Sequence, residues 1–365
     1  MTGARLRSGL SFEPRADGTP ARLGDPIEFY IMRESGGVNR ISLEAESVGQ
    51  KALKALGKSG GENEIHSVFD HAVYISSGKN ELIKLIRNKD FINPRSILIK
   101  QHESAPMASL GFEAGERVLW DGGSLDVGSG AIRIDLSRAR VYKKERLLRK
   151  NPRLGADTIA FNLRIMRDVI YTFPGREGLV PLLEDVEIRG PMKVFLEPQG
   201  ESVAEIARPH IEQLMWGLFT GDIRTVTEKA GAILGLGPGL TPSCDDFLAG
   251  LLMSLGFAGK SFYGKDEAAA RFFKKAGDAI YRLSKRKTTI YSRGLIDDAR
   301  HGEGPRAAIS LIKCLVTGTP EDTAAAAKTL IQMGATTGAD MAVGIFYGVR
   351  YLVSRLETEA LYEIA

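Results

Sequence analysis

The sequence predicts an α+β protein in which a small, antiparallel β-rich N-terminal domain precedes a larger all-α helical domain. Three observations carry this expectation. Short segments of alternating polarity, separated by Gly and Asp turns, fill residues 62–142. After Lys150 the apolar spacing changes to threes and fours. Gly and Pro then punctuate nearly every gap between the helical segments. The boundaries that follow are a flexible N-terminal arm over 1–40, a β-rich domain over 41–150 and a helical domain over 151–365.

Taken in order, residues 1–27 are rich in Gly, Pro and Arg and poor in large apolar groups, a composition that supports no core of its own. Ser42–Leu56 places Leu43, Val48, Leu53 and Leu56 at helical spacing. From Ile65 to Ile75 the period is two, with Ile65, Phe69, Val73 and Ile75 on one face and His66 and Asp70 on the other. Ser76-Ser77-Gly78-Lys79 reads as a hairpin turn before ELIKLI, and 96–100, 117–120 and 131–136 read as further strands. Helices are expected over 157–173 and 203–219, the second kinked or interrupted at Pro209. Others follow over 222–234, 243–256, 266–284, 288–300, 305–316, 320–333 and 338–356, with room for short strands between 180 and 197.

Composition bounds the function. The 365 residues are 43% hydrophobic and 26% charged, enough for two or three cores. The net charge of +4, from 49 basic and 45 acidic side chains, is too small an excess to argue for nucleic acid. The two cysteines, Cys244 and Cys314, make no disulfide framework and fit a reducing compartment. The first residues hold no apolar core of signal-peptide length, and the longest apolar stretch, Phe247–Ala258, is about half of what spans a bilayer. The expectation is a cytoplasmic protein with neither a membrane span nor a nucleic-acid partner.

The segment that carries chemistry is Gly235-Leu-Gly237-Pro-Gly239-Leu-Thr241-Pro242-Ser243-Cys244-Asp245-Asp246. Three glycines in five residues permit backbone conformations closed to other residues. Pro242 suits the first turn of a helix. Thr241 or Ser243 can cap that helix, and Ser243 and Asp246 have capping-box spacing. Free N–H groups at a helix start opposite a glycine loop form an anion site that needs no charged side chain. It is not a Walker loop, since no Lys follows the last glycine, and no apolar strand leads into it as a dinucleotide fingerprint requires. A tight, well-capped helix–helix turn is the competing structural reading.

A second observation favours function. Ser243-Cys-Asp-Asp246-Phe-Leu-Ala-Gly250 and Thr337-Gly-Ala-Asp340-Met-Ala-Val-Gly344 both read [Ser/Thr]-x-x-Asp-x-x-x-Gly at the start of an apolar helix. Asp and Gly four apart share a helix face, so two such starts can converge on one ligand. The alternative is two independent caps on two buried helices. Helix starts attract anions, whereas Asp245, Asp246 and Asp340 repel them. A wholly anionic ligand therefore needs a cation. That could be Mg2+, with Asp245 and Asp246 as ligands, or a basic side chain from Arg282–Arg293. Most of that basic stretch reads as a solvated helix face, with Arg293, after Thr288, Thr289 and Ser292, as the exception. A ligand with an anionic end and an amide NH2 also fits, because carboxylates accept from NH2.

The candidate catalytic residues are thus Asp245, Asp246 and Asp340. The candidate substrate-binding residues are Gly237, Gly239, Thr241, Ser243, Arg293, Thr337 and His66, the last on the polar face of its strand beside Ser67. His66, His71, His102, His210 and His301 show no ligand-type spacing with Cys, which argues against zinc. Cys244 lies at a helix start but has no adjacent base, and reads as packing.

GLGPGLTPSCDDFLAGLL resembles the signature of the AllH family, whose usual form is GPGLTPSGDD-F-L-x-G. HSVFDHAVYI and Gly334–Asp340 agree with it in order, and the resemblance covers roughly 41–356. It implies a subunit of a heteromeric oxamate carbamoyltransferase of purine (allantoin) catabolism, interconverting carbamoyl phosphate plus oxamate with oxalurate plus phosphate. It also implies a hetero-oligomer with an FdrA-like partner subunit. Cys244 stands where the family usually has Gly, Ala335-Thr336-Thr337 stands where His-Ser-Ser is commoner, and no Ser-x-Arg-Thr motif of the aspartate and ornithine carbamoyltransferases is present. A scaffold or regulatory subunit, and an Mg2+-dependent phosphoryl-transfer enzyme, stay open beside this reading.

Overall fold

The computed structural model describes residues 31–32, 40–58, 63–78, 81–100, 106–145, 154–172, 178–184, 186, 188, 201–264 and 266–364. Most of the expected arm over 1–40, His102 and most of 180–197 lie outside the described residues; within the last, Val180–Leu183 forms one short 3-10 turn. The chain divides into two compact units, one reaching Lys89 and resuming over Arg95–Tyr142, the other formed by Asp90–Pro94 and Lys143–Ala365.

The first unit contains β1 (Ile31–Met32), β2 (Arg40–Gly49), α1 (Gln50–Lys58), β3 (Asn63–Phe69), β4 (Ala72–Ser77), β5 (Glu81–Ile86), β6 (Ser96–Lys100), β7 (Arg117–Trp120), β8 (Ser124–Val127), β9 (Ile132–Asp135) and β10 (Arg140–Tyr142). Eight strands follow one another in the order β2-β6-β5-β4-β3-β7-β8-β9, and pairing of β2 with β9 closes the ring. Closure removes the exposed edges of an open sheet. The pairings are mostly antiparallel, with three parallel ones, β2–β9, β5–β6 and β2–β10. Alternate residues such as Ile83 and Leu85, and Ile132 and Ile134, point into a core at 2% exposure or less.

Two local expectations are corrected here. The helix expected over Ser42–Leu56 is strand to Gly49 and helix only from Gln50. Leu43 and Ala45 alternate inward from β2, and pairing with β6 and β9 overrides the helical spacing. The single strand expected over 65–75 is a hairpin that turns at Asp70-His71, with a register shift between Ile65 and Ser67. The turn expected near Ser76–Lys79 does join β4 to β5, its first residues being described and residues 79–80 lying outside.

The second unit holds α2 (Ala156–Thr172), α3 (Val203–Thr220), α4 (Ile223–Ile233), α5 (Ser243–Phe257), α6 (Lys260–Tyr263), α7 (Glu267–Lys287), α8 (Ile290–Ala299), α9 (Arg306–Thr317), α10 (Pro320–Ile331) and α11 (Thr337–Ile364). α3 runs unbroken through Pro209, contrary to the expected interruption. Ser202 and Glu205 form a complete capping box at its start, and Pro209 sits on the buried face. No helix among the described residues is long and apolar enough to cross a membrane.

α5 is the centre of this unit. Every side chain from Ser243 to Leu255 is buried, as expected of a helix apolar all round. It crosses α11 through glycine. A Cβ on Gly250 would overlap the Met341 carbonyl oxygen and lie 2.9 Å from Ile345 N. A Cβ on Gly344 would overlap the Phe247 carbonyl oxygen and lie 3.0 Å from Leu251 N. Ser243 and Thr337 are 94 positions apart (337 − 243), as are Phe247 and Met341, and Leu251 and Ile345. Exchanging the helices therefore maps these contacts onto each other. Farther along, Gly348 meets Ser254, again its equivalent, with 2.7 Å from a would-be Cβ to Ser254 Cβ. The register rises on both helices together, so α5 and α11 run parallel about a local two-fold axis, and their N-terminal ends lie side by side.

Candidate functional site

The loop that enters α5 is built on three left-handed glycines, Gly235 at φ +82°, Gly237 at +116° and Gly239 at +93°. Gly237 is fixed twice over, because a Cβ there would lie 2.7 Å from Ser243 N and 3.0 Å from Ser243 Cβ. The loop thus folds back onto the first residue of the helix. Gly334, at φ +66°, does the same for α11, a Cβ there standing 3.2 Å from Thr337 Cβ.

The capping expectation is revised. Pro242, not Thr241 or Ser243, is the N-cap of α5, and it offers no side-chain cap. Ser243 is the first helical residue, wholly buried, with its Oγ unpartnered. Thr241 turns its hydroxyl to Asp246, donating to Oδ2 at 3.0 Å. That uses its one proton, so at the 3.1 Å contact between the two threonine hydroxyls Thr337 donates to Thr241. The two helix starts are joined by this chain of hydroxyls.

Three carboxyls in the motif are fully buried, and they divide by how they are held. Asp245 has both oxygens engaged, Oδ1 by Gly235 N–H at 2.9 Å and Oδ2 by the Thr288 hydroxyl. Burial raises its pKa against the pull of Thr288, Gly235 and Ser292. It is a tie from the loop to the start of α8, where Thr289 also donates to Leu240 O at 2.6 Å. Asp246 and Asp340 each have one oxygen satisfied and one bare. Asp246 keeps Oδ1 without a partner. Asp340 accepts from Leu179 N–H at 2.7 Å on Oδ1 and keeps Oδ2 without one. Burial pushes Asp246 well above the usual carboxylate range, and the neighbouring Asp340 charge pushes it further. Burial also raises Asp340, opposed by Leu179 N–H and by the Ser243 and Thr336 hydroxyls. The Ser243 hydroxyl acts on Asp340 through proximity; it makes no hydrogen bond of normal geometry. Buried polar groups left bare are costly and uncommon, and here three of them share the junction of two helix starts.

The structure thus brings together Gly237, Thr241, Ser243, Asp245, Asp246, Thr337 and Asp340, with Gly239 on the exposed side of the loop. Arg293 lies half-buried in α8, its Nε buried without a partner, and no contact ties it to the acids. His66 belongs to the other compact unit, exposed, with Nδ1 3.2 Å from Ser67 Oγ. Lys285 and Arg286 are exposed, as a solvated helix face requires. Cys244 is wholly buried, and burial together with Asp245, Asp340 and Asp246 drives its thiol far up, which suits a packing side chain. No group of three His, Cys, Asp or Glu side chains suited to a metal ion occurs among the described residues.

Sequence reasoning missed Gly178 and Leu179. Gly178 stands at φ +69°, and a Cβ there would lie 2.8 Å from Asp340 Oδ2. Leu179 contributes only its backbone, which no residue pattern reports. A left-handed Gly in a loop was the single available signal.

Two family models match the chain. One, described as oxamate carbamoyltransferase subunit AllH, covers residues 233–349, from the end of α4 through the loop and α5 to the first half of α11. The other, the AllH family N-terminal domain, covers residues 42–141, the closed β ring. No solved structure matches.

Proposed function

Because the chain belongs to the AllH family, we propose that it is a subunit of a carbamoyltransferase-type complex and that the junction of α5 and α11 is its ligand site. The observation that supports this is the set of unpartnered, wholly buried polar atoms at Ser243, Asp246 and Asp340, beside a glycine loop that opens to solvent at Gly239. In this reading the N–H groups around Gly237, Gly239 and Ser243 take the phosphate or carboxylate end of a small ligand. Asp246 and Asp340 meet its uncharged end. In the reaction the resemblance implies, the oxamate nitrogen attacks the carbamoyl carbon of carbamoyl phosphate. A proton leaves that nitrogen, and phosphate departs with the C–O bond electrons, giving oxalurate. Positioning and stabilisation of the tetrahedral centre supply the rate. An FdrA-like subunit, cytoplasmic residence and a place in allantoin catabolism belong to the same proposal.

The test is a thermal-unfolding screen of the full chain with carbamoyl phosphate, oxamate, inorganic phosphate, and nucleotide with Mg2+. Native-state ligands raise the melting temperature in proportion to their occupancy. Stabilisation by carbamoyl phosphate or oxamate supports the proposal. Stabilisation by nucleotide plus Mg2+ alone replaces it with phosphoryl transfer, and a flat response to all four replaces it with a scaffold role.

A further inference from the structure

We propose that the outer face of α3, α4 and α7 docks an acidic segment of another protein chain, anchored by a large apolar side chain against Trp216 and Phe219. This surface lies apart from the α5/α11 junction and its role does not rest on the ligand reading.

Two observations meet here. The first is an exposed aromatic pair. Trp216 is 51% exposed and Phe219 47%, and their rings stack at 6.2 Å with an interplanar angle of 25°. Folded chains normally cover most of such large apolar side chains. Three residues apart, the two form one apolar block on the surface of α3. Aromatic side chains, Trp above all, and Arg are enriched where protein interfaces gain their energy. The second observation is a basic groove of about 450 Å³ between α4 and α7. Its floor is Ile223, Thr227 and the buried Ala279, and Arg224, Lys275 and Arg282 stand exposed along it. Among the described residues none of these three cations makes an ion pair or a side-chain hydrogen bond, whereas Arg271 and Lys274 on the same α7 do. The groove has one acid, Glu228, which Lys229 already holds at 3.0 Å.

α4 joins the two features. It begins four residues after Phe219 (223 − 219). A Cβ on Gly217 of α3 would lie 3.0 Å from Val226 N, and one on Gly231 would lie 3.1 Å from Leu283 Cδ1 of α7. α4 is thus held between α3 and α7, and the exposed residues of all three share the side turned away from the core. Trp216, Phe219 and Arg224 fall outside both family matches, which cover 42–141 and 233–349.

An apolar block beside uncompensated cations calls for its complement, a large apolar side chain flanked by carboxylates. A second copy of this chain does not supply that. In an isologous contact one patch meets itself, which sets Arg224, Lys275 and Arg282 against their own copies. Single-stranded nucleic acid is the rival polyanion. It binds through separate ring faces on which bases stack, and here the two rings already face each other.

The test is selection of short peptides from a random displayed library on the immobilised full chain, followed by anisotropy titration of the best labelled peptide. Trp216→Ser and the pair Arg224→Glu with Arg282→Glu are read beside the wild type. The control pair, Lys54→Glu with Arg138→Glu, makes the same change of net charge at exposed positions of the other compact unit. All the substituted side chains are exposed, and melting temperatures check that each variant folds. Phe219→Ser and Lys275→Glu stand in for any that does not. The selected peptides should carry Asp and Glu around one large apolar residue. Each face variant should weaken the best peptide about 10- to 100-fold, and the control pair less than about threefold. Added salt should weaken it further. No enrichment, enrichment without acids, or an affinity that survives either face variant overturns the proposal. Tighter binding of oligothymidylate than of the peptide reassigns the face to nucleic acid. Dimerisation in sedimentation that Trp216→Ser abolishes reassigns it to a second copy.

Discussion

The two helix starts, Ser243–Gly250 and Thr337–Gly344, share one residue pattern and use its halves differently. In the glycine half they are equivalent. Gly250 accepts the backbone of α11 as Gly344 accepts that of α5, and the contacts exchange under the local two-fold. In the acid half they are not. Asp246 is held by a neighbouring hydroxyl five residues away, Asp340 by a main-chain N–H from the opposite side of the sequence. The α5 loop carries three left-handed glycines, whereas Gly334 alone does this at α11. Helix packing has therefore kept the symmetry that close approach demands, while the polar groups are individually arranged. A purely structural pair of caps would need neither the asymmetry nor the bare oxygens.

The most severe test of the equivalence replaces either glycine at the crossing. Gly250→Leu and Gly344→Leu should each destabilise by about 3 kcal/mol or more, at the upper end of overpacking penalties, because backbone and not a yielding side chain stands in the way. Thermal unfolding reads this directly. A normal melting temperature for one of the pair would break the equivalence.

Next in size are the loop glycines, where the two starts should differ. Gly237→Ala meets both a forbidden φ and the backbone of Ser243, and should cost about 1–3 kcal/mol. Gly334→Ala meets the Thr337 side chain at 3.1 Å and should cost about 1 kcal/mol, the left-handed penalty alone. Denaturant midpoints that fall in the reverse order would show that the α11 turn is the tighter one.

The acids give a smaller, pH-dependent effect. A buried carboxyl with a raised pKa holds its proton better folded than unfolded. The stability it lends is present at low pH and is lost as pH rises from the ordinary carboxylate value to the raised one. Asn does not titrate. Asp246→Asn should thus gain on the wild-type chain as pH climbs through that window, and Asp340→Asn should gain less, since the Leu179 N–H and nearby hydroxyls oppose its rise. Parallel stability curves for wild type and the Asp246 variant would show the carboxyl is not held neutral.

The smallest expected effect separates the third acid from the pair. Asp245→Asn keeps an acceptor for either Gly235 or Thr288 and faces no bare position, so ligand affinity should change less than about threefold. A loss matching that of Asp246→Asn would move Asp245 into the ligand-facing set.

The residue pattern made much of this visible in advance. Period and punctuation are local properties, so α2 to α5 and α7 to α10 fall within a few residues of expectation, while the short α6 is missed and α11 runs eight residues beyond its expected end. What escaped was non-local. β2 reads as helix until pairing with β6 and β9 claims it. Pro209 reads as a kink or break, yet α3 continues through it with the ring buried. The partner of Asp340 is a backbone amide some 160 residues upstream, and a backbone amide leaves no mark on composition.

The parallel pairing of α5 with α11 also matters while the chain is being made. The last residue of α5 leaves the ribosome about 80 residues ahead of the first of α11 (337 − 257). At roughly 5–20 residues per second that interval lasts on the order of 4–16 s. For that time FLAGLLMSLGF lacks the α11 surface on which it is buried, and Thr241 beside Asp246 lacks its Thr337 neighbour. Completion of the core around α5 therefore waits on the synthesis of α11.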